Sequence, residues 1–294
     1  MGEHKPVLLK ETIEGLAIEA GDVVVDCTVG LGGHSVEICR QFGNKIVLIG
    51  LDADEYAVKQ AGAKLQNCNA AVFTANFRDL KKVLDELKVK KINRVIFDLG
   101  LSSWQIEGSG RGFSFRRDEP LLMTFSSQNQ GLTAHDAVND WKEENLEIVI
   151  RGFGEERYAR SIAKKIVEAR KIRPIETTGQ LVEIIRFAVP NAYRYGRVHF
   201  ATKTFQALRI AINEELKSLE LGLEQAFEKL ASRGRIAVIS FHSLEDRIVK
   251  KFFAGLARGK KAWLINKKPV MASEAELVLN PRSRSAKLRI LEKI

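Results

Sequence analysis

The stretch VVVDCTVGLGGH, residues 23–34, decides the predicted fold class. It begins as a short β-branched strand, ends that strand on Asp26 and continues into a glycine-rich turn. Glycines let the backbone turn tightly and approach a ligand closely. A helix that begins at such a turn directs its N-terminal amides toward that ligand. The order of strand, glycine turn and helix therefore predicts a nucleotide-like ligand on an open α/β sheet.

An acid after the next predicted strand supports this interpretation. Asp52 follows the strand at residues 46–51, where a carboxylate can accept hydrogen bonds from two ribose hydroxyls. In the dinucleotide-binding spacing the third glycine position would hold Ser35, which is a poor match. Asp26, four residues before Gly30, is instead the methyltransferase arrangement. The pattern favours S-adenosylmethionine over NAD, and either cofactor over a turn that binds nothing.

The alternation of strands and helices continues along the chain. Predicted strands at residues 71–74 and 94–99 are separated by short helices, an order typical of βαβ units in a parallel sheet. From about residue 107 to residue 195 the pattern is helical. A buried type of strand then returns at residues 235–241.

The sequence therefore predicts an α/β fold with a Rossmann-like, mostly parallel sheet, an antiparallel last strand and an inserted helical domain. Residues 262–266 and 288–291 are the predicted terminal antiparallel pair. The predicted domains are the first part of the sheet domain at residues 1–106, the inserted domain at 107–200 and the second part of the sheet domain at 201–294.

Three local features are predicted within these parts. Thr133 is the N-cap of a helix that starts at Ala134. Residues 202–230 form one long amphipathic helix. Ser243 and Asp246 form a capping box at the start of the next helix.

Composition excludes several classes of protein. The 294 residues carry a formal net charge of +10 and a pI of about 9.5, which attracts phosphate backbones. No apolar run approaches the roughly 20 residues of a membrane span. Cys27, Cys39 and Cys68 form no CxxC pair, which argues against a disulfide framework and favours a reducing cytoplasm. Because no zinc-ligand spacing appears, no metal is expected.

Three further side chains are predicted near the ligand. Asp98 ends the fourth strand, and ligands of open α/β sheets bind outside the carboxyl ends of the strands. Phe77 follows the third strand, where its ring can pack on an adenine, and His34 opens a helix. The simpler interpretations are a strand-end cap, a core phenylalanine and a loop histidine.

Other segments mix cations with aromatic rings. Residues 111–117, RGFSFRR, lie in a predicted loop, and residues 193–209 repeat the mixture. Aromatic rings can stack a splayed base while arginines hold phosphates. A third set of cations shares one helix face by its spacing and is a candidate phosphate track, although a solvated face is the simpler interpretation. These cations are Arg157, Arg160, Lys164 and Lys171.

With these residues identified, the chain resembles the bacterial ribosomal RNA small subunit methyltransferase H family almost from end to end. That family modifies N4 of a cytosine in the decoding centre of 16S ribosomal RNA. The matching strings are long and unusual, which argues against chance. They are HKPVL (4–8), DCTVGLGGHS (26–35), DLGLSSWQ (98–105), RGFSF (111–115), GEER (154–157), HFATKTFQA (199–207), SFHSLEDR (240–247) and NPRSRS (280–285).

The resemblance implies a class I S-adenosylmethionine-dependent methyltransferase that releases S-adenosylhomocysteine and is cytoplasmic. It implies 16S rRNA as the partner, within the assembled small ribosomal subunit, no membrane association, and it is compatible with a homodimer. Gln105 is a cofactor contact by resemblance alone. The full set of implied cofactor contacts is Gly32, Gly33, His34, Asp52, Phe77, Asp98 and Gln105.

Asp98 is also the candidate catalytic residue, but the sequence after it, Leu99-Gly100-Leu101, lacks the Pro-Pro-aromatic of amino-methylating enzymes, so it is expected to serve the cofactor more than the base, and no general base is assigned. The candidate substrate contacts are Arg111, Phe113, Phe115, Lys203, Phe241 and His242. One segment departs from the family. After Glu119-Pro120 the family usually has Leu-Asp-Met-Arg-Met, whereas this chain has LLMTF at residues 121–125. The missing acid and arginine put the substrate contacts of this loop in question.

Three other functions stay open at this point. The first is an NAD-linked oxidoreductase on the same sheet, which tighter binding of NADH than of S-adenosylmethionine would favour. The second is a non-catalytic RNA-binding factor with a vestigial cofactor site, which the divergent loop keeps under consideration. The third, methylation of a small molecule or a protein, is disfavoured by the basic faces.

Overall fold

The computed structural model describes residues 6–126 and 131–294. His4 and Lys5 of the first family string lie outside these ranges. The chain divides into two compact units. The first, which we call the sheet unit, consists of Met1–Gly100 and Leu216–Ile294, and the second, the helical unit, is Leu101–Glu215.

The sheet unit contains seven strands in the order β3-β2-β1-β4-β5-β7-β6. Strands β3, β2, β1, β4 and β5 pair in parallel, and β7 runs antiparallel to both β5 and β6. The predicted fold class is therefore confirmed, including the terminal antiparallel pair. The strands are β1 (Val23–Asp26), β2 (Val47–Asp52), β3 (Ala70–Thr74), β4 (Ile92–Asp98), β5 (Leu230–Ser240), β6 (Ala262–Leu264) and β7 (Lys287–Lys293).

Helices cover both faces of this sheet, so its central strands are buried on both sides. One apolar cluster joins Phe97 of β4 to Leu223 and Phe253, and another joins Ile96 of β4 to Leu16 and Ile38. The helices are α1 (Leu9–Leu16), α2 (Gly33–Phe42), α3 (Glu55–Leu65), α4 (Leu80–Glu86), α12 (Glu215–Lys229), α13 (Ser243–Arg258) and α14 (Glu274–Leu279).

The helical unit has its own apolar core, which includes Leu146, Ile162 and Leu181. Thr133 accepts a hydrogen bond from the amide of Asp136 in a capping box, so the predicted N-cap is confirmed. Its helices are α5 (Ser103–Glu107), α6 (Ala134–Asp140), α7 (Glu143–Gly154), α8 (Ala159–Arg170), α9 (Thr178–Ala188), α10 (Asn191–Arg194) and α11 (Thr202–Ile212).

Two local predictions are wrong, each because of a contact distant in sequence. The single helix at residues 202–230 is two helices, which are separated at Asn213, whose side-chain amide bonds the main chain of Met123 and Phe125, and at Glu214, which has a φ of 48°. The capping box of α13 is formed by His242 and Glu245, one residue earlier than predicted. Asp246 instead accepts hydrogen bonds from Arg289, with an Nε–Oδ1 distance of 2.7 Å.

Cys39 of α2 and Cys68 are a neighbouring pair of cysteines. Their Cα atoms are 6.1 Å apart, within the range of disulfides. A separation of 29 residues without a CxxC pattern gave no sign of this pairing. Within the described ranges, none of the helices is both long and apolar enough to cross a membrane.

Candidate active site

Three acids end neighbouring strands of the sheet unit. Asp26, Asp52 and Asp98 are the last residues of β1, β2 and β4. Strand β1 lies between the other two, with Asp26 level with Gly50 on one side and Ile96 on the other. Because parallel strands end at the same edge of a sheet, the register brings the three acids together where open α/β sheets bind ligands.

The glycine turn after β1 is closely packed. The amide of Gly30 donates to Oδ2 of Asp52 at 2.9 Å, which ties the turn to the end of β2. Gly32 has a φ of 88°, a left-handed conformation that disfavours a side chain. A Cβ on Gly33 would lie 2.6 Å from Cγ of Pro6. The turn is therefore tightly packed where α2 begins, with Gly32 buried and Gly33 partly buried.

Asp26 is a buried acid that accepts hydrogen bonds from residues at both ends of this turn. It is 2% exposed and accepts hydrogen bonds from the Ser35 hydroxyl at 2.7 Å and from the Thr28 amide at 3.1 Å. Burial raises the pKa of Asp26 to about 6, although these hydrogen bonds oppose the shift. Because both of its oxygens have protein partners, Asp26 holds the turn in its conformation.

Asp52 is more accessible than Asp26. Its oxygens accept hydrogen bonds from the amides of Gly30 and Asp54, each at 2.9 Å. Burial is the largest cause that raises its pKa to about 6. Each carboxylate oxygen has a second lone pair, so Asp52 can still accept a hydroxyl of a ligand.

Asp98 has an oxygen that lacks a donor. Its amide donates to the Thr28 hydroxyl at 2.6 Å, which fixes the residue. Oδ1 is buried and has no hydrogen-bond partner among the residues that the structure describes. A buried acceptor without a donor costs free energy, so this site is incomplete without a ligand that donates a hydrogen bond. Burial, then the negative charges of Asp26 and Glu245, raise the pKa of Asp98 to about 8.

His34 faces the second oxygen of Asp98. Its Nε2 lies 3.2 Å from the carbonyl oxygen of Val7, and a carbonyl can only accept, so Nε2 carries a hydrogen. Its Nδ1 lies 3.6 Å from Oδ2 of Asp98, within ion-pair range but longer than a hydrogen bond. The imidazole therefore stands beside the carboxyl with a fixed ring orientation.

Phe77 packs against Phe97 and against Gly222, a glycine inside a helix. Its ring contacts Phe97 edge to face, with centroids 5.5 Å apart. A Cβ on Gly222 of α12 would lie 2.7 Å from Cδ2 of Phe77. A glycine inside a helix is a signal for close packing, and it would have identified this position.

Phe241 and His242 follow β5 at the same edge of the sheet. Phe241 packs on the site loop, since a Cβ on Gly100 would lie 2.8 Å from Cε2 of its ring. His242 accepts the amide of Glu245 through Nδ1, and its Nε2 is 3.1 Å from Oε1 of Glu245. That distance is short, but the geometry does not make a hydrogen bond. Nε2 therefore has no hydrogen-bond partner among the described residues.

The other predicted residues lie in the helical unit. Gln105 is 7% exposed and forms a capping box with Ser102, whose amide donates to Oε1 of Gln105 at 2.9 Å. Phe115 is half-buried and stacks on His199, with centroids 4.4 Å apart. The amine of Lys203 donates to the Glu155 carbonyl at 2.9 Å. Six of the seven predicted cofactor contacts lie in the sheet unit, namely Gly32, Gly33, His34, Asp52, Phe77 and Asp98.

Arg111 is buried beneath the divergent segment at residues 121–125. It is 6% exposed and donates to the carbonyls of Thr124 at 3.0 Å and Phe125 at 2.5 Å. Its guanidinium also lies over the Phe113 ring, which is 8% exposed. Arg111 therefore holds the segment by its main chain, whatever side chains stand there.

Replacing Arg111 by alanine would leave these two carbonyls without their donors. We expect a loss of about 1–3 kcal/mol in the free energy of unfolding, seen as a lower Tm with unchanged cofactor affinity. Arg116→Ala removes an exposed arginine from the same loop and should leave the Tm unchanged. An unchanged Tm in Arg111→Ala, together with a raised KM for RNA, would instead assign Arg111 to substrate binding.

Comparison with known proteins finds matches to one family along the whole chain. The model of the MraW methylase family matches residues 1–294. A ribosomal RNA small subunit methyltransferase H from Symbiobacterium thermophilum is 48% identical and covers 99% of this chain and 96% of its own. One of the same name from a Sulfurihydrogenibium species is 47% identical over 100% of both chains. Among solved structures, a putative rRNA-methylase from Clostridium thermocellum aligns with 99% of this chain and 100% of its own at 14% identity, with a TM-score of 0.49.

Proposed function

The chain belongs to the MraW methylase family, and on that premise we propose that it methylates the N4 amine of a cytosine in the decoding centre of 16S ribosomal RNA. The methyl donor is S-adenosylmethionine and the product is S-adenosylhomocysteine. The observation that carries this proposal is the unpartnered Oδ1 of Asp98, at the end of a strand beside the glycine turn.

Two properties of the chain support the ribosomal substrate. Relatives at 47–48% identity over nearly the whole chain are named for the small subunit RNA. The net charge of +10 suits a polyanionic substrate. We further propose that the helical unit faces the RNA, that the substrate is the assembled small subunit and that the enzyme acts in the cytoplasm.

The residues at the strand ends fit S-adenosylmethionine. Main-chain atoms at Gly32 and Gly33 would approach its amino-acid part, because glycines carry no side chain that would stand in the way. Asp52 would accept the ribose hydroxyls, and Phe77 would pack on the adenine. His34 and Asp98 would face its charged groups. When bound, this cofactor supplies a methyl group that is already activated by a sulfonium.

The protein must then orient the amine and remove a proton. The lone pair of a cytosine N4 is delocalised into the ring, so the amine is a weak nucleophile. A carboxylate that accepts an N4 hydrogen favours the pyramidal, more nucleophilic nitrogen, and methylation of an amine releases one proton. Asp98 is the residue that we propose accepts this proton, and its position is fixed by its main-chain amide, which donates to the Thr28 hydroxyl. The side chain of Asp98 is 22% exposed, so the proton can pass to solvent afterwards.

Partial burial supports two aromatic rings as the contacts with the base. Phe115 and Phe241 are only partly buried, so each ring has a face that can stack on an extruded cytosine. Lys203 and His242 are the polar groups that we propose near the RNA. Arg111 and Phe113 are buried, and we propose that they act by ordering the loop.

The proposal is tested by incubating the protein with labelled S-adenosylmethionine and small ribosomal subunits that lack native methylation. Mass spectrometry of RNA fragments should then find one methyl group, on N4 of a decoding-centre cytosine. Binding of S-adenosylmethionine without transfer would contradict the proposal and indicate a binding factor or another acceptor. Tighter binding of NADH than of S-adenosylmethionine would indicate an oxidoreductase.

Replacing Asp52 by alanine should weaken binding of S-adenosylmethionine about 10-fold to 100-fold, because two charge-assisted hydrogen bonds to hydroxyls are lost. The Kd is measured by calorimetry on the free protein. Glu55→Ala, which changes the first residue of α3, is the control and should keep the affinity of the unmodified protein. Equal affinity in the Asp52 variant would exclude the ribose contact.

A further inference from the structure

The family string at residues 154–157 ends in a buried acid followed by an exposed arginine. Glu156 is only 1% exposed. Its Oε1 accepts the amide of Tyr158 at 2.9 Å, and its Oε2 accepts the hydroxyl of Tyr193 at 2.6 Å. Burial and this hydrogen bond raise the pKa of Tyr193 to about 12, so its phenol stays protonated. Glu156 therefore fixes two tyrosines from different parts of the helical unit.

Arg157 is held by these tyrosines. Its guanidinium carbon lies 4.8 Å from the ring centroids of both Tyr158 and Tyr193. The two rings meet at 67° with centroids 4.9 Å apart. Arg157 is exposed, and no acidic side chain pairs with it within residues 6–126 and 131–294. The rings thus orient a cation and leave its hydrogen-bond donors available.

Two more cations continue the same surface. A groove of about 370 Å³ is lined by Arg157, Tyr158, Arg160, Ser161 and Lys164, with no acid among them. Arg160 and Lys164 are four residues apart on α8, about 6 Å along the helix. Arg160 has no acidic partner among the described residues, and Lys164 is 3.9 Å from Glu168, with 66% of its side chain exposed. Lys165, in contrast, pairs with Glu168 at 2.7 Å.

From this arrangement we infer that the groove binds the phosphate backbone of an RNA strand outside the catalytic site. Arg157, Arg160 and Lys164 contact successive phosphates. Three exposed cations, of which only Lys164 has an acidic side chain nearby, attract a polyanion and release its counterions. Because the tyrosine pair already orders Arg157, less conformational entropy is lost on binding than for a free arginine. This inference rests on the proposed function, since it supplies a second contact to the same RNA.

The test compares two sets of variants in the full-length protein. One carries Arg157→Ala, Arg160→Ala and Lys164→Ala together. The matched control carries Lys165→Ala and Arg186→Ala, which remove cations of the same unit that already pair with Glu168 and Glu183. Fluorescence anisotropy measures binding to a short labelled single-stranded RNA over a range of salt concentrations, so that the readout does not depend on methyl transfer.

We expect the triple variant to bind RNA about 10-fold to 100-fold more weakly. The slope of log K against log salt should fall by about 2, as expected for three lost phosphate contacts. S-adenosylmethionine affinity and Tm should be unchanged, because the three side chains are exposed. If methyl transfer is detected, the KM for small subunits should rise while kcat at saturation is kept.

Equal RNA affinity and equal salt slope in the triple variant and the control would overturn the inference. Unchanged RNA binding with loss of binding to phosphatidylglycerol vesicles would also overturn it and assign the groove to a lipid surface. Absence of methyl transfer by the unmodified protein, with the expected loss of RNA binding in the triple variant, would count against the proposed reaction and support the groove.

Discussion

Replacing Asp98 by asparagine is expected to lower kcat/KM for methyl transfer by about 100-fold or more, the usual size of a proton-acceptor contribution. Asparagine keeps the size of the side chain but cannot take the proton. In the unmodified protein, kcat/KM reports the free enzyme, so it should rise with pH up to the raised pKa of Asp98, about 8, and then level off. The asparagine variant should lose this dependence.

The same variant should be more stable than the unmodified protein at pH 8. The pKa of Asp98 is raised in the folded state from its ordinary value of 3.8 to about 8, so the folded protein binds the proton more tightly than the unfolded chain. The stability that this gives is present below pH 3.8 and is lost as the pH rises toward 8. Asparagine stays neutral and avoids the loss, so its Tm should exceed that of the unmodified protein by at least about 2–4 °C at pH 8, with the difference shrinking toward pH 4.

Asp79→Asn is the control for both measurements. Asp79 lies near the same edge of the sheet, but 56% of its side chain is exposed. The control should change neither the pH profile nor the Tm. If Asp98→Asn kept the kcat/KM and the pH profile of the unmodified protein, the role proposed for Asp98 would be wrong.

Replacing Gly112 by alanine is expected to destabilise the helical unit by about 3 kcal/mol or more, because two costs add. Gly112 has a φ of 72°, which disfavours a side chain. Its new Cβ would also overlap the carbonyl oxygen of Pro120 and lie 3.1 Å from Cγ2 of Thr178. Since the Pro120 carbonyl belongs to the main chain, the loop must move to admit the methyl group. Thermal unfolding should show a lower Tm, and a methyl-transfer assay should show lower methylation of RNA.

Gly110→Ala separates the two costs. Gly110 has a φ of 66°, but no atom lies within 4 Å of a Cβ built there. This variant should lose only the conformational part, about 1 kcal/mol. Equal losses in the two variants would mean that the close contact with Pro120 contributes nothing.

Much of the sheet unit was predictable from local patterns. The strand Val23–Asp26 has the predicted limits, because a β-branched run reflects burial directly. The acids Asp52 and Asp98 were predicted at strand ends for the same reason. The less predictable elements were those whose limits depend on a distant partner, such as the helix that ends near Asn213.

Local sequence is enough to predict the alternation that builds the sheet, the glycine turn, the acids at the strand ends and the positive charge, because each is encoded by residues close together in the chain. Which of these groups act on one another depends on how the whole chain folds. The pairing of His34 with Val7 and Asp98, the burial of Arg111 and the stacking of Arg157 on Tyr193 join residues far apart in sequence. Such contacts set burial and partner geometry, which determine pKa values and available donors and leave no periodic trace in the chain.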